Sequence, residues 1–150
     1  MNHTPLRVLF DVNVVLDVLL KRPDHFSASA QVISLADQKL LRGLLCATTF
    51  TTVEYLVTKA AGRAAAQSQL AQLLQTFDIA PVDNGVLQDA LAAGFSDYED
   101  AVQHAAAQAS QCKAIVTRDL AGFRNSHLPV YTPDQFLSWW TVEGILSLNT

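Results

Sequence analysis

Positive charge is scarce in this chain. Ten Lys and Arg residues stand against 14 Asp and Glu, for a formal net charge of −4, and only 16% of the 150 residues are charged. An average globular domain carries roughly 25%. The basic footprint expected of an electrostatic nucleic-acid binder is therefore missing. A nuclease is not excluded, because acidic metal ligands lower the formal count and bound divalent ions reverse the sign locally. Cysteine is nearly absent too. Cys46 and Cys112 sit in apolar, strand-like contexts with no CxxC spacing, which excludes a disulfide framework and leaves two buried free thiols suited to a reducing cytosol. No stretch reaches the ~18 consecutive apolar residues of a membrane-spanning helix. The start, Met1-Asn2-His3-Thr4-Pro5, lacks the basic and apolar regions of a signal peptide. The expectation is a soluble, cytoplasmic protein without a membrane partner. Repeats and low-complexity linkers are missing, so one domain over residues 1–150 is expected, long enough for a sizeable core.

Half the residues are apolar, and their pattern alternates strand-like with helix-like segments, which favours an α/β fold with a mostly parallel sheet. Leu6-Arg7-Val8-Leu9-Phe10 reads as a buried strand, followed by a short apolar helix that stops near Pro23. Residues 27–41 read as a helix ended by Gly43, then 44–48 as a second strand. Thr51 opens a third helix, and a fourth runs over 64–76 beyond a soft break at Gly62. Residues 77–82 are a strand whose Pro81 marks an end or an edge. Helices over 86–93 and 96–111 precede the strand Ala114-Ile115-Val116 and a short edge strand, Val130-Tyr131. A final helix begins at Pro133 and carries Trp139 and Trp140.

The chemistry lies in where acids meet these strands. Asp11 follows the first strand, and Thr117-Arg118-Asp119 follows the strand at 114–116. Ligands of open parallel sheets bind beyond the carboxyl ends of the strands, and paired carboxylates there suit a hard cation. Each acid also has a local explanation. Capping and metal binding suit Asp11 equally, with Asn13 competing for the cap, and Asp17, on the same face as Asn13, reads as a support for the loop or for Asn13. Thr51 with Glu54 matches a capping box, as does Ser96 with Glu99, and the helix dipole accounts for Asp97. Asp119 fits a turn, and His104 fits a surface or supporting hydrogen bond. Capping explains Asp100 poorly: it heads a stripe of small residues, and it shares a helix face with Asp97. Local explanations leave open why several acids fall at the same end of separate strands. An aspartyl-phosphate domain using Asp11 would need further acids or a Lys in patterns not found here.

Four pieces in order resemble the PIN domain family: residues 10–19 (Phe10-Asp11-Val12-Asn13-Val14-Val15-Leu16-Asp17-Val18-Leu19), Thr52-Val53-Glu54-Tyr55-Leu56, Asp97-Tyr98-Glu99-Asp100-Ala101-Val102-Gln103, and 115–123 with Thr117-Arg118-Asp119. The resemblance spans about residues 6–137 and leaves the Trp139-Trp140 segment and the tail to Thr150 outside it. It implies a three-layer α/β/α fold around a central, mostly parallel sheet, and a metal-dependent ribonuclease similar to the VapC-type toxins of toxin–antitoxin pairs. Matched by position, Asp11, Glu54, Asp100 and Asp119 take the catalytic acids, with Asp11, Asp100 and Asp119 as first metal ligands. Glu54 and Asp97 would bind through water or act as base, and Asn13 and Thr117 would support the site. Mg²⁺ or Mn²⁺ suits all-oxygen ligands. Arg118, Lys21, Arg22 and the Lys59/Arg63 pair are candidate phosphate contacts. RNA, a cognate antitoxin and a second copy of the chain are the implied partners. The alternative is a PIN-like RNA- or protein-binding module that no longer cleaves.

Overall fold

The computed structural model describes residues 5–144. Five strands form one sheet: β1 (Arg7–Phe10), β2 (Arg42–Cys46), β3 (Asp78–Ala80), β4 (Ala114–Val116) and β5 (Val130–Tyr131). Their order is β3-β2-β1-β4-β5, and every neighbouring pair is parallel. The mostly parallel sheet expected from sequence is thus wholly parallel. Among the described residues seven α-helices connect and cover it: α1 (Val12–Leu19), α2 (Phe26–Asp37), α3 (Ala47–Ala61), α4 (Arg63–Thr76), α5 (Asn84–Ala92), α6 (Tyr98–Ala109) and α7 (Pro133–Trp139).

Parallel strands buried on both faces read as continuous apolar runs, and β1 shows why. Val8 and Phe10 join Val14, Val15, Leu16, Val32, Val53, Val57, Leu73 and Phe136 in one core, on the side of α1–α4 and α7. Leu9, between them, packs with Leu44, Ile115, Val86, Ala90 and the alanine stripe of α6 on the other. The small side chains Ala101, Ala105, Ala106 and Ala107 let α6 lie close to the sheet, all nearly or fully buried. None of the described helices is long and apolar enough to cross a membrane.

Several boundaries differ from the sequence expectation for identifiable reasons. The second helix stops at Asp37, not at residue 41, because Lys39 turns the chain in the left-handed region (φ 60°) and its ammonium donates to the carbonyls of Gln75 and Thr76. Gly43 is therefore no helix terminator. It lies in β2, where a Cβ would stand 2.8 Å from both the Ala36 methyl and the Phe77 ring. The second strand ends at Cys46, and α3 begins at Ala47. Thr51 is then already inside the helix, its hydroxyl donating to the Thr48 carbonyl, so Thr51 and Glu54 make no capping box. Ser96 with Glu99 makes none either: Asp97 is the cap of α6, its Oδ1 accepting from the Asp100 N–H. Cys46 is in a strand as expected, but Cys112 lies just before β4, with its thiol pushed up to about 11 by burial. His104 is interior, with its Nε2 accepting the His127 N–H at 3.0 Å. Trp140 leaves α7 and opens a π-helical turn, Trp140–Gly144; the end of the tail lies outside the described residues.

Candidate active site

β1 is where the sheet's winding reverses. From β1 the chain moves to β2 and β3 on one side, then crosses back to place β4 on the other. The crevice beyond the carboxyl ends of β1 and β4 is the ligand position of such a sheet, and the acids gather there. Asp11 is the next residue after β1, and its N–H still bonds the Val116 carbonyl at 2.9 Å. Thr117 follows β4, its N–H held by the Tyr131 carbonyl at 2.9 Å. The sheet's own hydrogen bonds therefore fix the base of the crevice.

Asp11 is 3% exposed and makes no side-chain cap on α1. Its Oδ1 accepts from Gln103 Nε2 at 3.0 Å and its Oδ2 from Thr117 Oγ1 at 2.8 Å. Burial raises its pKa; the Gln103 and Thr117 bonds oppose the rise, and the nearby N–H groups of Val12 and Asn13 temper it without capping geometry. Capping, a fair explanation in the sequence, is not what this carboxylate does.

Asp100, on the first turn of α6, is half-buried and stands at the centre of the electrostatics. Its pKa is raised to about 7, first by burial, then by the negative charges of Asp11, Asp97, Asp119 and Glu99. Glu99 is raised as well, by burial and by Asp97 and Asp11. Asp119 is exposed in the loop after β4, its N–H donating to Thr117 Oγ1 at 3.0 Å and its Oδ1 accepting from Gly122 N–H at 2.9 Å. A Cβ on Gly122 would stand 2.5 Å from Asp119 Oδ2 and 3.0 Å from Asp100 Oδ2. Those two oxygens thus crowd the place a side chain at position 122 would take.

The predicted residues divide on these grounds. Asp11, Asp97, Asp100 and Asp119 belong to one field of negative charge. Glu54 is exposed on α3, its carboxylate accepting from Thr58 Oγ1 at 3.1 Å, and it is not among the groups that raise Asp100. Asn13 Oδ1 accepts from Arg22 Nη1 at 3.1 Å. Arg118 and Arg22 are both paired with Asp17, a fully buried carboxylate: Arg118 Nε at 2.7 Å, Arg22 Nη1 at 3.6 Å, with the Ser29 hydroxyl adding a bond at 2.9 Å. Asp17 is thus the loop support expected of it. Lys21, Lys59 and Arg63 are exposed.

Two residues escaped the sequence reading. Glu99 was absorbed by a supposed capping box, and the signal against this was Asp97, an equally good cap one residue after Ser96. Gln103 is fully buried, with both polar ends bonded, its Oε1 to the Val12 N–H at 3.3 Å. A Gln among Ala and Val on a core-facing stripe was its only sequence signal. Among the described residues no three ligand-type side chains close into a ready coordination shell; Asp100 and Asp119 each place an oxygen beside Gly122.

A parallel sheet wound both ways from β1, with carboxylates collected in the crevice at that point, defines the class: a three-layer α/β/α protein with an acidic strand-end cleft. The chain belongs to the PIN domain family, whose model matches residues 7–121. No curated protein sequence matches it. Solved structures share the fold. VapBC2 from Rickettsia felis, bound to a DNA fragment from their promoter, is 15% identical, covering 83% of this chain and 97% of that one at a TM-score of 0.66. FitAcB from Neisseria gonorrhoeae is 22% identical, covering 84% and 97% at 0.65. VapC20 from Mycobacterium tuberculosis, described as a sarcin-ricin loop cleaving toxin, is 12% identical, covering 72% and 86% at 0.59.

Proposed function

We propose that this protein is a divalent-metal-dependent endoribonuclease, the toxin of a toxin–antitoxin pair, working in the cytoplasm. The observation that carries the reading is the unbalanced negative charge of the crevice beyond β1 and β4: Asp11 and Asp119 lie in the field around Asp100, and their charges, after burial, help raise it to about 7. Such a field invites a cation, and the donors are all hard oxygens, which suit Mg²⁺ or Mn²⁺. The space beside Gly122, flanked by two carboxylate oxygens, supports the fit.

Asp11, Asp100 and Asp119 would hold the metal, with Asp97, Glu99 and Glu54 acting through water or taking the proton of the attacking water. A bound divalent ion would lower the pKa of a water and offset charge on the phosphate. Thr117 and Asn13 would support: Thr117 orients Asp11, and Asn13 fastens Arg22. Arg118, Arg22 and Lys21 would take phosphate oxygens of the RNA. The VapBC and FitAcB relatives support an antitoxin partner, and a homodimer goes with the same family reading. The exposed position of Glu54 supports the second reading, a PIN-like binding module whose acids do not cleave.

A structured RNA incubated with Mg²⁺ or Mn²⁺ and wild type, Asp11→Asn or Asp119→Asn decides between them. Cleavage by wild type alone is expected. Equal activity in all three would remove the assignment, and Mn²⁺ calorimetry without binding at millimolar concentration would favour the binding module.

A further inference from the structure

We infer that Gln103 is a positioning residue for the metal site, holding Asp11 as a hydrogen-bond acceptor with a direction imposed by the backbone. The inference rests on the metal-dependent reading above. It starts from two N–H groups that can only donate. Val12 N–H, an orphan donor at the start of α1, points to Gln103 Oε1 at 3.3 Å. That fixes the amide's orientation, so the end facing Asp11 Oδ1 is Nε2, which can only donate. Asp119 N–H donates to Thr117 Oγ1 at 3.0 Å, and the single hydroxyl hydrogen is left to donate to Asp11 Oδ2 at 2.8 Å.

Both oxygens of Asp11 are therefore met by donors, the Gln103 amide from α6 and the Thr117 hydroxyl from the end of β4. An ionised carboxylate satisfies this wiring. Rotating the carboxylate would break both bonds in a site 3% exposed, where unmet hydrogen bonds are costly. Gln103 is itself fully buried, so water cannot replace its amide. Hydrogen-bonding partners of ligating carboxylates typically change metal affinity by about 10–100-fold when removed.

The test is Mn²⁺ binding by calorimetry, with thermal unfolding of the metal-free protein as the measure of a merely structural role. Gln103→Met keeps the side chain's length and removes both polar ends. It is expected to weaken Mn²⁺ binding by about 10–100-fold, matching Thr117→Val, beyond any change in metal-free stability. Wild-type affinity in Gln103→Met, while Asp11→Asn and Asp119→Asn lose binding, overturns the inference and leaves the metal reading standing. A wild type that binds no Mn²⁺ overturns both. A measurement on the unmutated protein guards against a variant that fails to fold. The Gln103 side-chain amide, followed by nitrogen-15 NMR, should shift on Mg²⁺ addition; a resonance unmoved at saturating Mg²⁺ overturns the inference.

Discussion

Thr117 ties the acid of the first strand to that of the fourth: its hydroxyl donates to Asp11 Oδ2 at 2.8 Å while the same oxygen accepts the Asp119 N–H at 3.0 Å. One side chain thus links the carboxylate of Asp11 to the backbone of Asp119, 108 positions further along the chain. A crevice organised this way makes several measurable statements.

Gly122→Ala tests the gap between Asp119 and Asp100. The glycine's φ lies outside the left-handed region, so alanine brings no backbone strain there; its methyl would instead meet Asp119 Oδ2 at 2.5 Å and Asp100 Oδ2 at 3.0 Å. The variant is expected to fold with a wild-type circular dichroism spectrum and to lose at least about tenfold in Mn²⁺ affinity, the lower end expected when a ligand's surroundings are disturbed. Retained affinity would show that the cation does not use this gap.

The pH dependence of metal-free stability follows from Asp100. Its folded pKa, about 7, is above the unfolded value of 3.8, so the folded state binds more protons and stability falls as pH rises through that window. Asp11 and Glu99, also raised, act in the same direction. His104 acts oppositely: burial lowers its pKa below 6.5, so its contribution is complete above pH 6.5 and is lost as pH falls below it. The interval from pH 6.5 to 8 therefore isolates the acids. Melting temperature of the metal-free protein should fall across it, and saturating Mn²⁺ should flatten or reverse the slope. Asp100→Asn should flatten it without metal.

Asp17→Asn should destabilise the fold and disturb the loop before Asp119 together. The buried carboxylate receives Arg118, Arg22 and Ser29. Both arginines keep some contact with solvent, so the loss should resemble that of hydrogen bonds to a charged group, about 1.5–3 kcal/mol, read from urea unfolding. A change within about 0.5 kcal/mol, typical of surface substitutions, would mean that Asp17 does not anchor these arginines.

Glu54→Gln should lower the cleavage rate less than Asp100→Asn, because Glu54 stands outside the field that raises Asp100. Rate against metal concentration, compared for the two variants, checks this. Equal losses would place Glu54 among the direct ligands.

The positions of the strands were legible because parallel strands buried on both faces need uninterrupted apolar runs, and Val8–Phe10 and Ala114–Val116 are such runs. The acids at their ends were legible as a set for the same reason: a strand's end is fixed by its pattern, and the next residue inherits the position. Helix starts were less so. Thr51 and Ser96 both offered a capping signature that is local and cheap to form, yet α3 begins at Ala47 and α6 is capped by Asp97, because the crossings from the sheet decide where each helix can begin.

By itself, the sequence determined that Asp11 and Asp119 lie at the same end of a parallel sheet, since alternating apolar strands and helices leave few other ways to bury both faces. Tertiary structure alone decided which other groups join them. Gln103 reaches Asp11 across 92 positions, Glu99 enters the field while Glu54 stays exposed, and Gly122 keeps open a gap that no local pattern marks. Hydrogen-bond direction and charge repulsion act over a few ångströms of space, and folding, not sequence spacing, sets those distances.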